Sequence, residues 1–327
     1  MSCILLHGFA RLSLGAAETL VNKNGARMRE AFEAICRIKK KEEDFKMEQE
    51  LKMMKKENGS NGLEKVTKGT LAIFAVVMGI GGSMLISILF GKQLQAAFPN
   101  TYALEFVMEL ISALLALVLI FAYRKQKALR FSLNGMKEGM TSGMAWTVIL
   151  IMAVVSVWFD VKNMQGLQWI QGWEMSLLFL QCVLIGLFEE IIFRGIVLEL
   201  SFEIFGADTN KKAKRAIAFS AVIFGAVHLV NAIHPEITFM AALMQAISVA
   251  GIGLVFGAIY YRSERTLWPC VIYHAIQDAS AFVVSGALYG VTQKDVVGST
   301  GMRQALYCIL FMAWFFYLMR ERQEEEA

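Results

Sequence analysis

Leu187-Phe188-Glu189-Glu190-Ile191-Ile192-Phe193-Arg194-Gly195 sets two carboxylates and a guanidinium inside an apolar run extending from about residue 174 to 198. The run is long enough to cross a hydrocarbon core of ~30 Å, which takes roughly 20 helical residues. An ionisable side chain at the middle of such a helix costs roughly 2.5–3.5 kcal/mol even on lenient insertion scales. Three of them within six positions therefore call for partners. Glu190 and Arg194 are four apart and share a helix face. Glu189 points about 100° away and lacks that local partner. One carboxylate is thus expected to be structural and the other free for chemistry.

Seven further apolar runs surround this one, at about 70–91, 101–123, 139–160, 214–233, 237–260, 267–289 and 303–319. Backbone groups in lipid must be satisfied within the segment, so each run is read as a helix. The expected fold class is all-α: a polytopic transmembrane bundle of about eight spans. The composition agrees, with 56% hydrophobic residues, only 3 prolines and a mean hydropathy of +0.50 over 327 residues, too apolar for an ordinary soluble domain. Three domains are expected: a charged cytoplasmic tail over 1–68, a transmembrane domain over 69–320 with its core motifs at 170–290, and a short tail over 321–327. The first of these carries a Lys/Glu-rich run from Arg37 to Glu57 and the turn-prone Asn58-Gly59-Ser60-Asn61-Gly62. Its opening Ile4-Leu5-Leu6 is too short for a signal-peptide core, so no cleavage is expected there.

The net charge of +4 does not indicate nucleic acid, because from residue 50 onward Lys and Arg fall between the apolar runs. Alternate connections hold 18 Lys and Arg against 4, which predicts both termini on the cytoplasmic side of a multi-pass cell-membrane protein. The partners expected are the bilayer and a peptide or membrane-tethered protein. The cysteines Cys3, Cys36, Cys182, Cys270 and Cys308 show no CxxC spacing, so neither a disulfide framework nor a zinc ribbon is expected.

Two more runs carry residues foreign to lipid. The fifth holds Phe224-Gly225-Ala226-Val227-His228 and Asn231; the seventh holds His274-Ala275-Ile276-Gln277-Asp278, with His274 and Asp278 on one face. At about 1.5 Å rise per residue from the cytoplasmic ends, the glutamates lie roughly 12–14 Å deep, His228 roughly 20 Å, His274 about 10 Å and Asp278 about 16 Å. All five can share one layer, expected in the cytoplasmic half. Such a layer suits hydrolysis by water. A carboxylate stripped of solvent readily takes a proton, a histidine positions the water or protonates a leaving amine, and further donors steady an oxyanion. Cys270, one helical turn before His274, is the weaker alternative as a nucleophile, because it follows Pro269 at the mouth of its span. HExxH is absent, so a divalent metal such as zinc, if held at all, would fall to Glu189, His228 and His274.

Bland readings stand beside these. The charged trio can be an interhelical salt-bridge network, and Asp278 and Asn231 can act through their neighbours. His7 and His234 read as surface residues, and Glu105 and Glu109 as interfacial. Lys39 to Lys56 reads as a solvated helix. Gly79, Gly81, Gly82, Gly251, Gly253 and Gly257 are expected to admit close helix packing.

In order, Glu189-Glu190 through Arg194, Phe224 through His228, and His274 through Asp278 resemble the EExxxR, FxxxH and HxxxN/D motifs of the CPBP family of intramembrane proteases. That family is also called Abi or CAAX-protease and includes the eukaryotic CAAX prenyl endopeptidase. Gly253, Gly257, Tyr261 and Leu267-Trp268-Pro269 are similar to bacterial members. The resemblance covers roughly 170–290 and nothing of the first 68 residues or the first two spans. It implies that Glu189 with His228 activates water, that His274 with Asp278 forms the oxyanion site, and that Glu190 with Arg194 holds the constellation. An ionised Asp278 repels an oxyanion, so it must be protonated or orient His274. The function expected is an endopeptidase cutting a membrane-associated peptide from the cytoplasmic side. The competing reading is a non-enzymatic membrane partner, such as a bacteriocin-immunity or scaffold protein. A proton-coupled transporter is disfavoured by the lack of internal repeats.

Overall fold

The computed structural model describes Lys40 and residues 62–144, 172–289 and 301–320, with side chains left undescribed at 283–289 and 303–305. The chain divides into two compact units, Met1–Glu64 and Lys65–Ala327. The helices are α1 (Gly62–Ala97), α2 (Thr101–Ala122), α3 (133–144), α4 (Gly172–Phe205), α5 (Asn210–Val227, with a 3-10 extension His228–Ile233), α6 (Phe239–Arg262), α7 (Trp268–Tyr289) and α8 (Met302–Leu318). No strand occurs among the described residues. Of these helices α1, α2, α4, α5 (counted through Ile233) and α6 are long and apolar enough to cross a membrane. The chain is therefore a multi-pass membrane protein. Most of the third expected run, the tail up to residue 61 including His7, and residues 321–327 lie outside the described residues.

The helix starts follow local chemistry. Asn100, Thr209 and Thr238 each accept a backbone N–H from the first turn of α2, α5 and α6, satisfying one of the donors a helix start leaves open. The fourth helix runs past the expected residue 198 to Phe205 and stops at Gly206, whose φ of 86° is a left-handed value open to glycine.

This α4 is the central helix. It packs on α2, α5 and α7, while α6 packs on α5 and α8 and α1 lies against α2. Its stretch Ile191–Leu198, directly after the glutamates, is wound as a π-helix, and all eight residues are buried. The sequence alone reads as an ordinary membrane-spanning α-helix here; the structure encloses this stretch among its neighbours. The outer helices behave oppositely. Ile88, Val118, Leu310 and many like them are exposed, as side chains in contact with lipid are. Small residues set the close approaches. A Cβ on Gly253 would meet Ala221 and Phe224, one on Gly257 would meet Ile217, one on Gly251 would meet Cys308 and Phe311, and those on Gly79 and Gly82 would meet Ile192 and Leu115. Gly81 differs from expectation: its Cβ would touch only Val77 of its own helix.

The basic connections gather at one end of the bundle. Glu203 of α4 pairs with Lys68 and Lys125, Glu199 with Arg265, and Tyr261 Oη donates to the Ala207 carbonyl. Trp268 Nε1 and Leu267 N donate to the Leu129 and Ala128 carbonyls. Arg262 reaches Glu138 and Ser142 of α3 and the Leu318 carbonyl of α8. At the opposite end Asn100 Nδ2 donates to Glu174 at 2.7 Å, joining α2 to α4.

Candidate active site

Glu190 is wholly buried on α4, and one oxygen takes two bonds. Arg194 Nη1 and His274 Nδ1 both donate to Oε1, each at 2.8 Å. The first is the expected pair along α4; the second crosses to α7 and was not expected. Gly186, one turn before Glu190, makes the crossing possible. A Cβ there would stand 3.2 Å from Ala275 N, His274 Cβ and the Val271 carbonyl, so α7 lies directly on the α4 backbone. The Arg194 guanidinium, also buried, sits 4.5 Å from the Phe224 ring centre and 5.3 Å from that of Phe256. Those π faces support a desolvated cation.

With Nδ1 donating to Glu190, His274 turns Nε2 toward two other carboxylates. Glu189 Oε2 lies 3.5 Å from it and Asp278 Oδ2 3.6 Å. Glu190, not Asp278, thus holds the ring, while Asp278 flanks Nε2.

His228 closes α5 where the α-helix gives way to a 3-10 turn. Its Nδ1 donates to the Phe224 carbonyl at 2.9 Å, which leaves Nε2 of the neutral ring as an acceptor. The Phe224 ring stands edge-on to both imidazoles, with centroids 5.1 Å from His228 and 6.4 Å from His274. Glu189, His228, His274 and Asp278 all line one cavity of about 470 Å³. Glu190 and Arg194 lie behind its wall. All six candidate residues therefore belong to one constellation, four at the cavity and two holding it.

Cys270 is buried, with Sγ 3.3 Å from the Phe256 carbonyl, and does not line the cavity. Asn231 does line it, donating to Gln245 Oε1 at 2.8 Å. His234 is exposed, as expected, and stands at the cavity rim. Glu109, read as interfacial, is within electrostatic reach of Glu189 and Asp278. Gly186 and Gln245 were missed. The one amide side chain in the apolar sixth run was a signal for Gln245; an ordinary helical glycine gave none. For a metal, among the described residues no three His, Cys, Asp or Glu side chains are arranged to hold an ion.

The family model for Rce1-like proteins, type II CAAX prenyl endopeptidases, matches residues 171–280. This segment is similar to Rce1-like proteins. It begins one residue before α4, ends two residues after Asp278, and so contains every residue of the constellation. The resemblance read from the three motifs is thereby borne out over about a third of the chain. No curated protein and no solved structure matches the chain.

Proposed function

We propose that the chain is an intramembrane endopeptidase of the CPBP/CAAX-protease type, which hydrolyses a membrane-associated peptide with water activated by Glu189 and His228. One observation carries the reading: Glu189, His228, His274 and Asp278, from three helices, face a single cavity whose wall is fixed by Glu190 and Arg194. Water in the cavity gives a proton to the Glu189 carboxylate or to His228 Nε2, and its oxygen bonds to the scissile carbonyl carbon. Protonated His274, aimed through Glu190, donates from Nε2 to the oxyanion. The C–N bond then breaks and the leaving amine takes up the proton removed from water. Asp278 offsets the imidazolium charge from the side, a role it fills by flanking Nε2 rather than by contacting the oxyanion. No part of this sequence draws on a bound ion.

The basic end of the bundle is assigned to the cytoplasm from the Lys and Arg count. The test is comparative peptidomics of membranes holding the wild-type chain or Glu189→Gln. Peptides released only by the wild type are expected; identical peptide sets, with both proteins folded and inserted, overturn the assignment.

A further inference from the structure

Among the described residues the cavity lining extends in one direction only from the catalytic side chains. Its lining runs from Phe193 back to Ile185 on α4, from Phe224 on to His234 on α5, from Ile252 back to Ile237 around the start of α6, and from His274 on to Phe282 on α7. On each element this leads away from the end where the basic connections meet. On the other side of the catalytic layer the interior is closed. Ile196, Leu198, Ile217, Phe256, Ile259 and Leu267 are each at most 1% exposed, and packing of that density leaves no path for a chain. Glu189 therefore lies at the floor of a funnel whose described rim is Met84 of α1 and the turn Val230–His234. Ile233 at that rim is 68% exposed.

Resting on the peptidase reading, we propose that substrate enters through this rim, from the side of the membrane opposite the basic connections, and that it is a stretch of membrane-embedded polypeptide unwound into extended form. This departs from the expected entry on the cytoplasmic side. The apolar rim accepts side chains arriving from lipid. An unwound chain also brings unpaired N–H and C=O groups, which lipid cannot satisfy. The Asn231–Gln245 pair meets that need. Both residues line the cavity, and their single mutual bond does not use the Asn231 oxygen or the Gln245 amide hydrogens, an acceptor and a donor for a peptide main chain.

Accessibility tests the entrance without requiring turnover. In the full-length chain with Cys3, Cys36 and Cys308 replaced by Ser, single Ile233→Cys and Lys211→Cys variants are exposed to a membrane-impermeant maleimide in intact and permeabilised cells. Position 233 should react in intact cells and position 211 only after permeabilisation; reaction of both from the same side overturns the proposal. Gln245→Cys should react with a small thiosulfonate from the side that reaches 233. Prior loading of a Cys at 233 with a bulky maleimide should slow that reaction at least tenfold, and an unchanged rate would show another route. For the occupant, a benzophenone amino acid placed at 233 in the Glu189→Gln background is irradiated in membranes. A peptide adduct by mass is expected, and a phospholipid adduct alone overturns the substrate class. These outcomes are independent of the peptidomics test, so the entrance can fail while the hydrolase stands, and the reverse.

Discussion

Glu190 and Arg194 are each other's condition for being buried. Removing the cation leaves a carboxylate of zero exposure with only His274 opposite it, and an uncompensated buried charge costs about 3–5 kcal/mol. Arg194→Met should therefore lower the thermal unfolding midpoint in detergent sharply. The double variant Glu190→Leu/Arg194→Met should recover much of the stability but no hydrolysis, since His274 then loses the bond that aims it. Glu189 is the contrary case. It is partly exposed to the cavity and its described ion pair is the long 3.5 Å approach to His274, so Glu189→Gln should abolish hydrolysis at least a thousandfold while leaving the unfolding midpoint within a degree or two of wild type. A large loss of stability in that variant would mark Glu189 as structural. Because no described trio of ligands is arranged for an ion, chelator-treated protein should keep its activity; restoration by added zinc after full loss would contradict the water-activation scheme.

The helices place these side chains by how closely they approach. Gly186 lets α7 lie on α4, with backbone and His274 Cβ only 3.2 Å from where a Cβ would stand. A Gly186→Leu side chain must push α7 away, and overpacking of this kind costs typically 1–3 kcal/mol. The variant should insert and fold with a lowered midpoint, yet lose hydrolysis nearly as fully as Glu189→Gln, because the 2.8 Å bond from His274 to Glu190 cannot survive the separation. Retained activity would show that the bond is dispensable. The π-wound stretch of α4 follows the glutamates directly; such windings cluster at functional sites. No sequence period announces one, which is why the fourth run was read as an ordinary α-helix ending near residue 198.

Across the whole molecule, the basic connections share one end of the bundle and the cavity opens toward the other. Arg262 ties α3, α6 and α8 together at the basic end through Glu138, Ser142 and the Leu318 carbonyl. Arg262→Ala should lower stability by about 1–3 kcal/mol, the range for bonds to a charged group, with little change in activity per folded molecule. Reporter domains fused to the two termini should lie on the same side of the membrane, that of the basic connections; opposite sides would require an odd number of spans.

What the sequence determined by itself was the all-α membrane class, the approximate positions of the five long apolar helices and the six residues expected to gather in one constellation. Hydropathy runs and charges inside them are local signals, and lipid leaves a chain few other ways to satisfy its backbone. The pairing of Glu190 with Arg194 was legible too, since four residues on a helix fix a distance. Only the tertiary structure decided that Glu190 also holds His274, that Gly186 admits α7, that Glu109 comes within electrostatic reach of the cluster and that the described cavity lining leads away from the basic end. Each depends on which faces of different helices meet, and that follows from packing among several helices at once, a property no single run of residues carries.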